Sequence, residues 1–357
     1  MDFIIDHKRF KKVFHLNELD KYLWSDKRIS KFPHYLEKYF QFFNDYAKKN
    51  YKLIPNKCLC HHSNDLLLSK TDRHCVEFYT VVCKNCGLIR AKDYFSEKDV
   101  KNFYENYYRP GSNFGNISYG SEDLDKFFNN QFVNSKFRFD LINKYKKKDI
   151  HNLKILDLGG GIGGILKHFD RNGNELFLAD YFDPYLNYAK SKGYKVIKGG
   201  LNEINFKPNI IILSHVIEHW SNFEEQIKKL INIQIVGETI NYIEFPGIDS
   251  LKLGRREGDI LGDIHVPHVY YFSSYVFENI MNRYGFEKLY IDSEIKSIFV
   301  YTGKKKDSIN YYPKIYQDLI LAERKRKIHC VQNFIKLFIP NNLLSIVRKI
   351  RGKKINF

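Results

Sequence analysis

Short apolar runs alternate with amphipathic segments over the second half of the chain. The apolar runs predict seven strands, at 154–159, 175–180, 194–200, 209–216, 239–247, 286–292 and 297–305. The segments between them predict helices, including 183–193 and 222–233. Alternating strands and helices form mostly parallel sheets with helices on both faces. The pattern therefore predicts an α/β fold, with a Rossmann-like, doubly wound, seven-stranded sheet at residues 151–305.

A glycine-rich turn follows the first predicted strand. Gly159, Gly161 and Gly163 allow a sharp turn and the close approach of a ligand. The helix expected after the turn directs free N–H groups and its positive dipole end at that ligand. The turn therefore predicts a nucleotide-like ligand. The spacing of its glycines alone does not distinguish a dinucleotide from S-adenosylmethionine.

Asp157, two residues before the first glycine, indicates which of the two ligands binds. A carboxylate there repels a pyrophosphate, whereas it suits the ammonium group of a methionine moiety. The two closely spaced strands at the end of the sheet and the segment SHVIEHW after the fourth strand favour the same ligand. S-adenosylmethionine is therefore the predicted cofactor.

The segments outside the sheet differ in composition. Residues 1–50 carry an apolar stripe that predicts a helical N-terminal segment, and 51–104 carry a metal-binding pattern. Residues 105–150 read as a linker or lid followed by a lead-in helix. Residues 306–357, with twelve Lys/Arg against three Asp/Glu, predict two basic amphipathic helices broken at Pro340. Helical appendages are thus expected at both ends of the chain.

Four cysteines form two close pairs that are typical of a metal site: Cys58, Cys60, Cys83 and Cys86. The second pair reads Cys-x-x-Cys-Gly, as in a zinc knuckle, and residues 76–82 between the pairs alternate like a strand. The pattern predicts a small zinc-ribbon-like module. Four protein ligands leave no open position, so the predicted zinc is structural. Three residues remain as alternatives to one of the thiolates: His61, His62 and Cys75.

Three motifs together resemble class I S-adenosylmethionine-dependent methyltransferases: ILDLGGGIGG, the second-strand ending LAD, and LSHVIEHW. The resemblance covers roughly residues 150–305. It implies that Asp157 and the three glycines surround the methionine and ribose part of the cofactor. It also implies that Asp180 holds the ribose hydroxyls, that Asn202 lies near the adenine, and that His215 contacts the cofactor or the acceptor.

A second resemblance is narrower. The four cysteines, the CGL after them, the tyrosine-rich link and this domain are similar to the deoxysugar C-methyltransferase group, which implies a nucleotide-linked sugar as acceptor. That group's Tyr-His-Glu-His motif before Tyr-Phe-Ser matches at His268 and at 271–273. His265 and Pro267 stand where tyrosine and glutamate are expected. Because of these two mismatches, both O-methylation of a sugar hydroxyl and C-methylation remain possible reactions.

Methylation of a hydroxyl requires removal of its proton. Histidine titrates near neutrality, so His268 and His265, in the loop after the fifth strand, are the candidate bases. His268 ranks first because it carries the family match. Glu218 and His219 complete the catalytic candidates, with capping of the helix at 222–233 as the alternative. A metal site formed by these histidines and the glutamate also remains open.

The formal net charge of +17 is weak evidence for nucleic acid, because lysines occur along the whole chain. The expected acceptor is therefore a sugar, nucleotide-linked or in a surface glycan. An RNA methyltransferase that uses the basic tail and an inactive, cofactor-binding scaffold remain the alternatives. No signal-type core and no apolar run of about 18 residues occur, which predicts a cytoplasmic protein. The basic segment 306–357 predicts peripheral contact with the anionic inner membrane or with an anionic glycan, and docking of its helices onto the main domain is the alternative.

Overall fold

The computed structural model describes residues 50–73, 77–103, 121–146 and 151–336. The predicted N-terminal helical segment, most of the tyrosine-rich link and the second predicted basic helix lie outside the described residues. Cys75 also lies outside them.

The first described part of the chain contains the cysteine module and the helices that lead into the large sheet. The module, residues 51–104, has five strands and one helix: β1 (Ile54–Pro55), β2 (Asp65–Thr71), β3 (Glu77–Cys83), β4 (Ile89–Ala91), β5 (Asp93–Tyr94) and α1 (Glu97–Phe103). Two helices follow: α2 (Ser121–Asn134) and α3 (Lys136–Tyr145). Residues 123–147 were expected to form one helix. That helix is interrupted at Ser135, which is buried and donates its hydroxyl hydrogen to the carbonyl of Phe132.

The rest of the described chain alternates strands and helices. Its strands are β6 (Lys154–Leu158), β7 (Glu175–Asp180), β8 (Lys195–Lys198), β9 (Ile210–Ser214), β10 (Ile240–Glu244), β11 (Tyr270–Tyr271), β12 (Phe286–Ile291) and β13 (Lys296–Tyr301). Its α-helices are α4 (Asp183–Ser191), α5 (Phe223–Asn232), α6 (Ser274–Arg283) and α7 (Tyr312–Lys336). A short 3-10 helix, Gly164–Phe169, stands where an α-helix was expected after the glycine turn.

Seven of these strands form one mixed sheet in the order β12-β13-β10-β9-β6-β7-β8. The five strands from β10 to β8 are parallel, and β13 runs antiparallel to both of its neighbours. The predicted Rossmann-like, seven-stranded sheet is therefore confirmed. The chain leaves β6 in one direction towards β8 and returns to β9, on the other side of β6. This reversal places the ligand crevice at the carboxyl ends of β6 and β9.

The central strands are buried on both faces, as their nearly continuous apolar runs require. Leu156 and Leu158 of β6 belong to one hydrophobic core, and Ile155 belongs to the core on the opposite face. Helices α2 and α3 cover this second face, where Phe128 and Ile142 pack. The carboxyl end of the sheet is thereby left as the accessible edge.

The cysteine module is joined to the large sheet through a second, four-stranded sheet in the order β11-β4-β3-β2. Strand β11 comes from the part of the chain that carries the large sheet and pairs Tyr270 with Arg90 and Tyr271 with Ile89. Leu88 and Ile89 share one hydrophobic core with residues that cover the large sheet. The module and the large sheet are therefore packed as one unit.

Helix α7 corresponds to the first of the two predicted basic helices. It packs through Ile315, Leu319 and Ala322, which are buried. Among the described residues, none of the helices is both long and apolar enough to cross a membrane.

Candidate active site

The carboxylate of Asp157 lies directly beneath the glycine turn. The residue is 0 % exposed, and neither carboxylate oxygen has a hydrogen-bond partner. The pKa of Asp157 is raised to about 7, mainly by burial; Arg138 opposes this shift, and Asp180 and Glu244 add to it. A buried carboxylate without a partner is costly. A cationic group bound at this turn would supply the missing partner, so the site fits the ammonium group of S-adenosylmethionine.

The turn can pass over this carboxylate only because Gly160 has no side chain. A Cβ atom at Gly160 would lie 2.3 Å from the carboxyl carbon of Asp157. Gly159, Gly161 and Gly163 adopt left-handed backbone angles, with φ of 69°, 61° and 82°. These angles strain other residues, so the sequence at this turn is dictated by the backbone.

Asp180, at the end of β7, is held against the turn. Its two carboxylate oxygens accept hydrogen bonds from the N–H groups of Gly161 and Phe182, each at 3.0 Å. Asn202 is exposed within the short 3-10 helix Leu201–Glu203. Tyr181 stands between them, since its hydroxyl lies 2.8 Å from the position that a Cβ at Gly200 would take. The aromatic ring of Tyr181 is a ligand-facing candidate that the sequence signalled only by its place after Asp180.

Gln131, on α2, was not identified from the sequence. Its carbonyl oxygen accepts a hydrogen bond from the N–H of Gly164 at 2.6 Å, and its amide donates to the carbonyl of Gly160 at 3.3 Å. One side chain thus connects both halves of the turn. A glutamine on an amphipathic helix carries no sequence signal that distinguishes it from a solvated position.

An open cleft of about 270 Å³ lies at the carboxyl ends of β9 and β10. Six of the residues that line it are Arg138, His215, Glu244, Phe245, Arg255 and Lys296. The buried carboxylate of Glu244 pairs with the guanidinium of Arg138 and accepts hydrogen bonds from the hydroxyls of Ser214 and Tyr242. This cleft opens beside the cofactor crevice, where a methyl acceptor would lie.

Five of the predicted site residues form one cluster around the carboxylate of Glu218, which is 1 % exposed. The Oε1 atom of Glu218 lies 3.3 Å from His215 Nδ1, 3.8 Å from His219 Nε2 and 4.0 Å from His268 Nε2. The rings of His265 and His268 have centroids 3.8 Å apart. Residues 50 positions apart in sequence are therefore brought together at one edge of the sheet.

Two hydrogen bonds to backbone carbonyl groups join the segment after β9, which carries Glu218 and His219, to the segment before β11, which carries His268. Glu218 accepts a hydrogen bond at its carbonyl from the N–H of Val269, and His219 Nδ1 donates to the carbonyl of Pro267 at 2.8 Å. The Tyr271 hydroxyl lies 3.1 Å from the carbonyl oxygens of both His265 and His268. The cluster is thus fixed by the fold before any ligand binds.

The cluster contains histidines with opposite pKa shifts. Burial and the neighbouring imidazoles of His265 and His219 hold the pKa of His268 well below its ordinary value. Burial also lowers the pKa of His215, but the Glu218 carboxylate outweighs it and raises that pKa above the ordinary value. His268 is therefore neutral at pH 7, with one ring nitrogen able to accept a proton or bind an ion.

The four cysteines converge on one point in the module. Sulfur–sulfur distances are 3.5 Å for Cys58–Cys86, 3.4 Å for Cys58–Cys60 and 3.6 Å for Cys60–Cys83. All four sulfur atoms lie within 4.8 Å of one another. His61 instead faces Glu224, its Nε2 3.4 Å from that carboxylate. The arrangement fits a tetrahedral zinc ion bound by the four thiolates.

Comparisons with known proteins concern the part of the chain that carries the large sheet. Residues 130–291 match a family model described as a methyltransferase domain. This region begins in α2 and ends with β12, so it contains the glycine turn and the Glu218 cluster. None of the curated proteins compared with the chain matches it significantly.

Several solved structures are similar in fold. A protein from Pyrococcus horikoshii OT3 is 17% identical, with 57% of this chain and 99% of that chain covered and a TM-score of 0.39. Magnesium protoporphyrin IX methyltransferase from Synechocystis, with bound S-adenosylhomocysteine, is 15% identical, with coverages of 57% and 98% and a TM-score of 0.40. A SAM-dependent methyltransferase from Aquifex aeolicus is 16% identical, with coverages of 50% and 96% and a TM-score of 0.37.

Proposed function

We propose that this chain, a methyltransferase that uses S-adenosylmethionine, transfers the methyl group to a sugar that is nucleotide-linked or part of a surface glycan. The observation that carries the proposal is the Glu218 cluster beside a cleft with polar walls. The resemblance of the cysteine module and the HVPHVYYFS segment to the deoxysugar C-methyltransferase group supports the sugar as acceptor class.

When bound, S-adenosylmethionine supplies a methyl group activated by its positively charged sulfur. The carboxylate of Asp157 would pair with the cofactor's ammonium group, and Asp180 would bind the ribose hydroxyls. Asn202 and the ring of Tyr181 would lie at the adenine, and His215 at the boundary between cofactor and acceptor. The residues of the chain thus bind and orient the cofactor with its methyl group towards the cleft.

The acceptor must lose a proton as its oxygen or carbon attacks the methyl carbon. We assign the proton to Nε2 of His268, with His265 as the second candidate. The low pKa of His268 keeps the imidazole neutral at neutral pH, so one ring nitrogen is free of a proton. The Glu218 carboxylate, 4.0 Å away, would stabilise the imidazolium that forms. His219, bound to the Pro267 carbonyl, orients the same loop.

The test is an acceptor screen with labelled S-adenosylmethionine against nucleotide sugars and glycan fragments. We expect label in a sugar product, and a loss of about 10²–10⁴-fold in turnover for His268→Ala. Retained binding of S-adenosylhomocysteine without label in any sugar would overturn the sugar assignment alone. An RNA acceptor would instead show label in RNA and retention that weakens steeply with salt.

We also propose that Cys58, Cys60, Cys83 and Cys86 hold a structural zinc ion. With four thiolates the ion has no open position, so it stabilises the module and takes no part in methyl transfer. A zinc content that falls by one ion per chain in Cys83→Ser, relative to the wild type, would support this assignment. The absence of zinc from the purified, folded chain would overturn it.

Helix α7 is proposed to contact an anionic membrane surface. Leu321, Ile328 and Val331 are exposed on one side of this helix, with three exposed basic residues beside them: Arg324, Lys325 and Lys327. Apolar and basic side chains on one helical face are typical of interfacial binding. The test is co-sedimentation with vesicles of phosphatidylglycerol. We expect it to be lost in Leu321→Ser/Ile328→Ser, and unchanged co-sedimentation would contradict the proposal.

A further inference from the structure

Three potential metal ligands converge next to His215, a residue that lines the acceptor cleft. One carboxylate oxygen of Glu218 and one ring nitrogen each of His219 and His268 all lie within 4.8 Å of one another. The carboxylate–imidazole distances of 3.8 and 4.0 Å exceed those of a hydrogen bond. Two ligands that share a tetrahedral zinc ion at bonds of about 2.0–2.2 Å lie about 3.3–3.6 Å apart. The observed distances are a few tenths of an ångström longer, so small side-chain shifts would bring these atoms around a common ion.

The imidazole of His219 is oriented as a metal ligand. A carbonyl oxygen can only accept a hydrogen bond, so the contact with Pro267 requires the proton on Nδ1 of His219. In the neutral ring the lone pair is then on Nε2, the atom that faces Glu218. Histidines that bind metals characteristically donate their other ring N–H to a carbonyl or carboxylate in this way.

The carboxylate of Glu218 provides an independent indication of a cation. Its Oε2 atom is buried and has no hydrogen-bond partner, while its side chain is only 2 % exposed. A buried, incompletely paired carboxylate is unfavourable unless a positive charge binds to it. An ion at this point would bind the carboxylate and both imidazole nitrogens together.

We propose that Glu218, His219 and His268 bind a divalent transition-metal ion of the zinc type, separate from the four-cysteine site. Two imidazoles and one carboxylate are the ligand set of zinc sites that keep an open position. This inference rests on the proposed transfer to a sugar, because that open position would hold a hydroxyl oxygen of the acceptor. In the metal-bound state His268 is a ligand, and His265, whose ring centroid lies 3.8 Å from that of His268, is the remaining candidate for the acceptor's proton.

The test measures bound zinc in the full chain without any acceptor. After dialysis against a zinc buffer, we expect two zinc ions per chain by mass spectrometry for the wild type. We expect one for His219→Ala and for Glu218→Gln, with zinc affinity at that site lowered by at least 100-fold. His151→Ala, an exposed histidine at the opposite edge of the sheet, is the matched control and should retain two ions.

A second measurement separates metal loss from misfolding. Cobalt bound to nitrogen and oxygen gives weak ligand-field absorption, whereas cobalt bound to thiolates absorbs intensely. We expect only the weak component to disappear in His219→Ala, with S-adenosylhomocysteine binding retained. A wild-type chain with one zinc ion, whose cobalt spectrum His219→Ala leaves unchanged, would overturn the metal site.

The metal site and the proposed function can fail separately. Two bound zinc ions without methylation of any sugar would refute the acceptor assignment and leave the metal site standing. Sugar methylation at full rate by a chain that binds one zinc ion, in the cysteine site, would refute the metal site and leave methyl transfer standing.

Discussion

Tyr270 pairs with Arg90 across the antiparallel ladder that joins the large sheet to the cysteine module. The loop from His265 to His268 ends two residues before this pair. Tyr94 of the module also donates its hydroxyl hydrogen to the Pro267 carbonyl at 3.1 Å, inside that loop. The cysteine module therefore supports the loop that carries two of the candidate catalytic histidines.

Replacing a cysteine ligand should thus affect turnover as well as stability. For Cys83→Ser we expect a lower free energy of unfolding and at least a 10-fold loss of turnover, because β4 no longer holds β11 in place. Affinity for S-adenosylhomocysteine should change little, since the glycine turn is held by Asp180 and Gln131, which lie outside the module. Urea unfolding, turnover and calorimetry measure the three quantities.

His62→Ala is the matched control for the cysteine variant. His62 is exposed, and its Nδ1 atom lies 2.8 Å from the carbonyl oxygen of Cys60. Its replacement should change the free energy of unfolding by no more than about 0.5 kcal/mol. Equal turnover of Cys83→Ser and wild type would show that the module does not support the histidine loop.

Cofactor affinity should depend on the ionisation of Asp157. Its pKa of about 7 means that the carboxyl is mostly protonated below pH 7 and cannot pair with an ammonium group. We expect affinity for S-adenosylhomocysteine to rise with pH up to about 7 and then to level off, because Asp157 is then ionised while the ligand's amino group, beside its own carboxylate, is still protonated. Calorimetry between pH 5.5 and 9 measures the profile.

Asp157→Asn should remove the rising limb of this profile. A charge-assisted hydrogen bond contributes about 1.5–3 kcal/mol, so we expect affinity at pH 7.5 to fall about 10–100-fold. A wild-type profile that stays flat between pH 5.5 and 7.5 would contradict pairing of Asp157 with the ammonium group.

The close packing of Gly160 over Asp157 gives a steric prediction. Gly160→Ala would place a methyl group 2.3 Å from the Asp157 carboxyl carbon and 2.6 Å from a methyl carbon of Leu178. Both neighbours are buried, so we expect a loss of about 1–3 kcal/mol in stability and loss of cofactor binding. Gly237→Ala is the control, because a Cβ there meets nothing within 4 Å and incurs only the strain of φ 77°.

Thermal unfolding and S-adenosylhomocysteine titration distinguish these two glycine variants. Gly237→Ala should lose about 1 kcal/mol and keep cofactor binding unchanged. If Gly160→Ala bound the cofactor like wild type, the turn could move away from Asp157 at little cost.

The sequence predicted the large sheet well because its signals are local. The central strands of the sheet are apolar runs, and Asp157 and the glycines follow one another along the chain. Strand β11 could not be predicted, since two tyrosines carry no periodicity and their pairing with β4 is a long-range contact. The interruption at Ser135 depends on one side-chain hydrogen bond within an otherwise helical pattern.

Only part of the candidate site could be predicted, again because some of its residues have a local sequence signal and others do not. The histidines and Glu218 were recognisable because these residue types perform chemistry, although only the fold shows that they meet. Gln131 and Arg138 were missed because polar residues on an amphipathic helix usually face solvent. Their roles depend on the packing of α2 and α3 against the sheet, which is a tertiary property.

The ion pair between Arg138 and Glu244 gives a prediction for stability. Burial alone would raise the pKa of Glu244, but Arg138 and the hydroxyls of Ser214 and Tyr242 lower it below the ordinary value. With Arg138→Gln the buried carboxylate, 5 % exposed, loses its cation. We expect a loss of about 3 kcal/mol in the free energy of unfolding at pH 7.

The pH dependence of this loss follows from the sign of the shift. A lowered carboxyl pKa in the folded state stabilises the protein above the unfolded-state pKa, and that stability disappears as pH falls through the folded-state pKa. The difference between wild type and Arg138→Gln should therefore be complete at pH 7 and shrink below about pH 4.5. Lys136→Gln is the matched control on α3, because its pair with Asp140 is exposed and should contribute less than about 1 kcal/mol. Urea unfolding at pH 4 and pH 7 tests both variants, and an equal loss at the two pH values would show that the Glu244 charge is not what Arg138 stabilises.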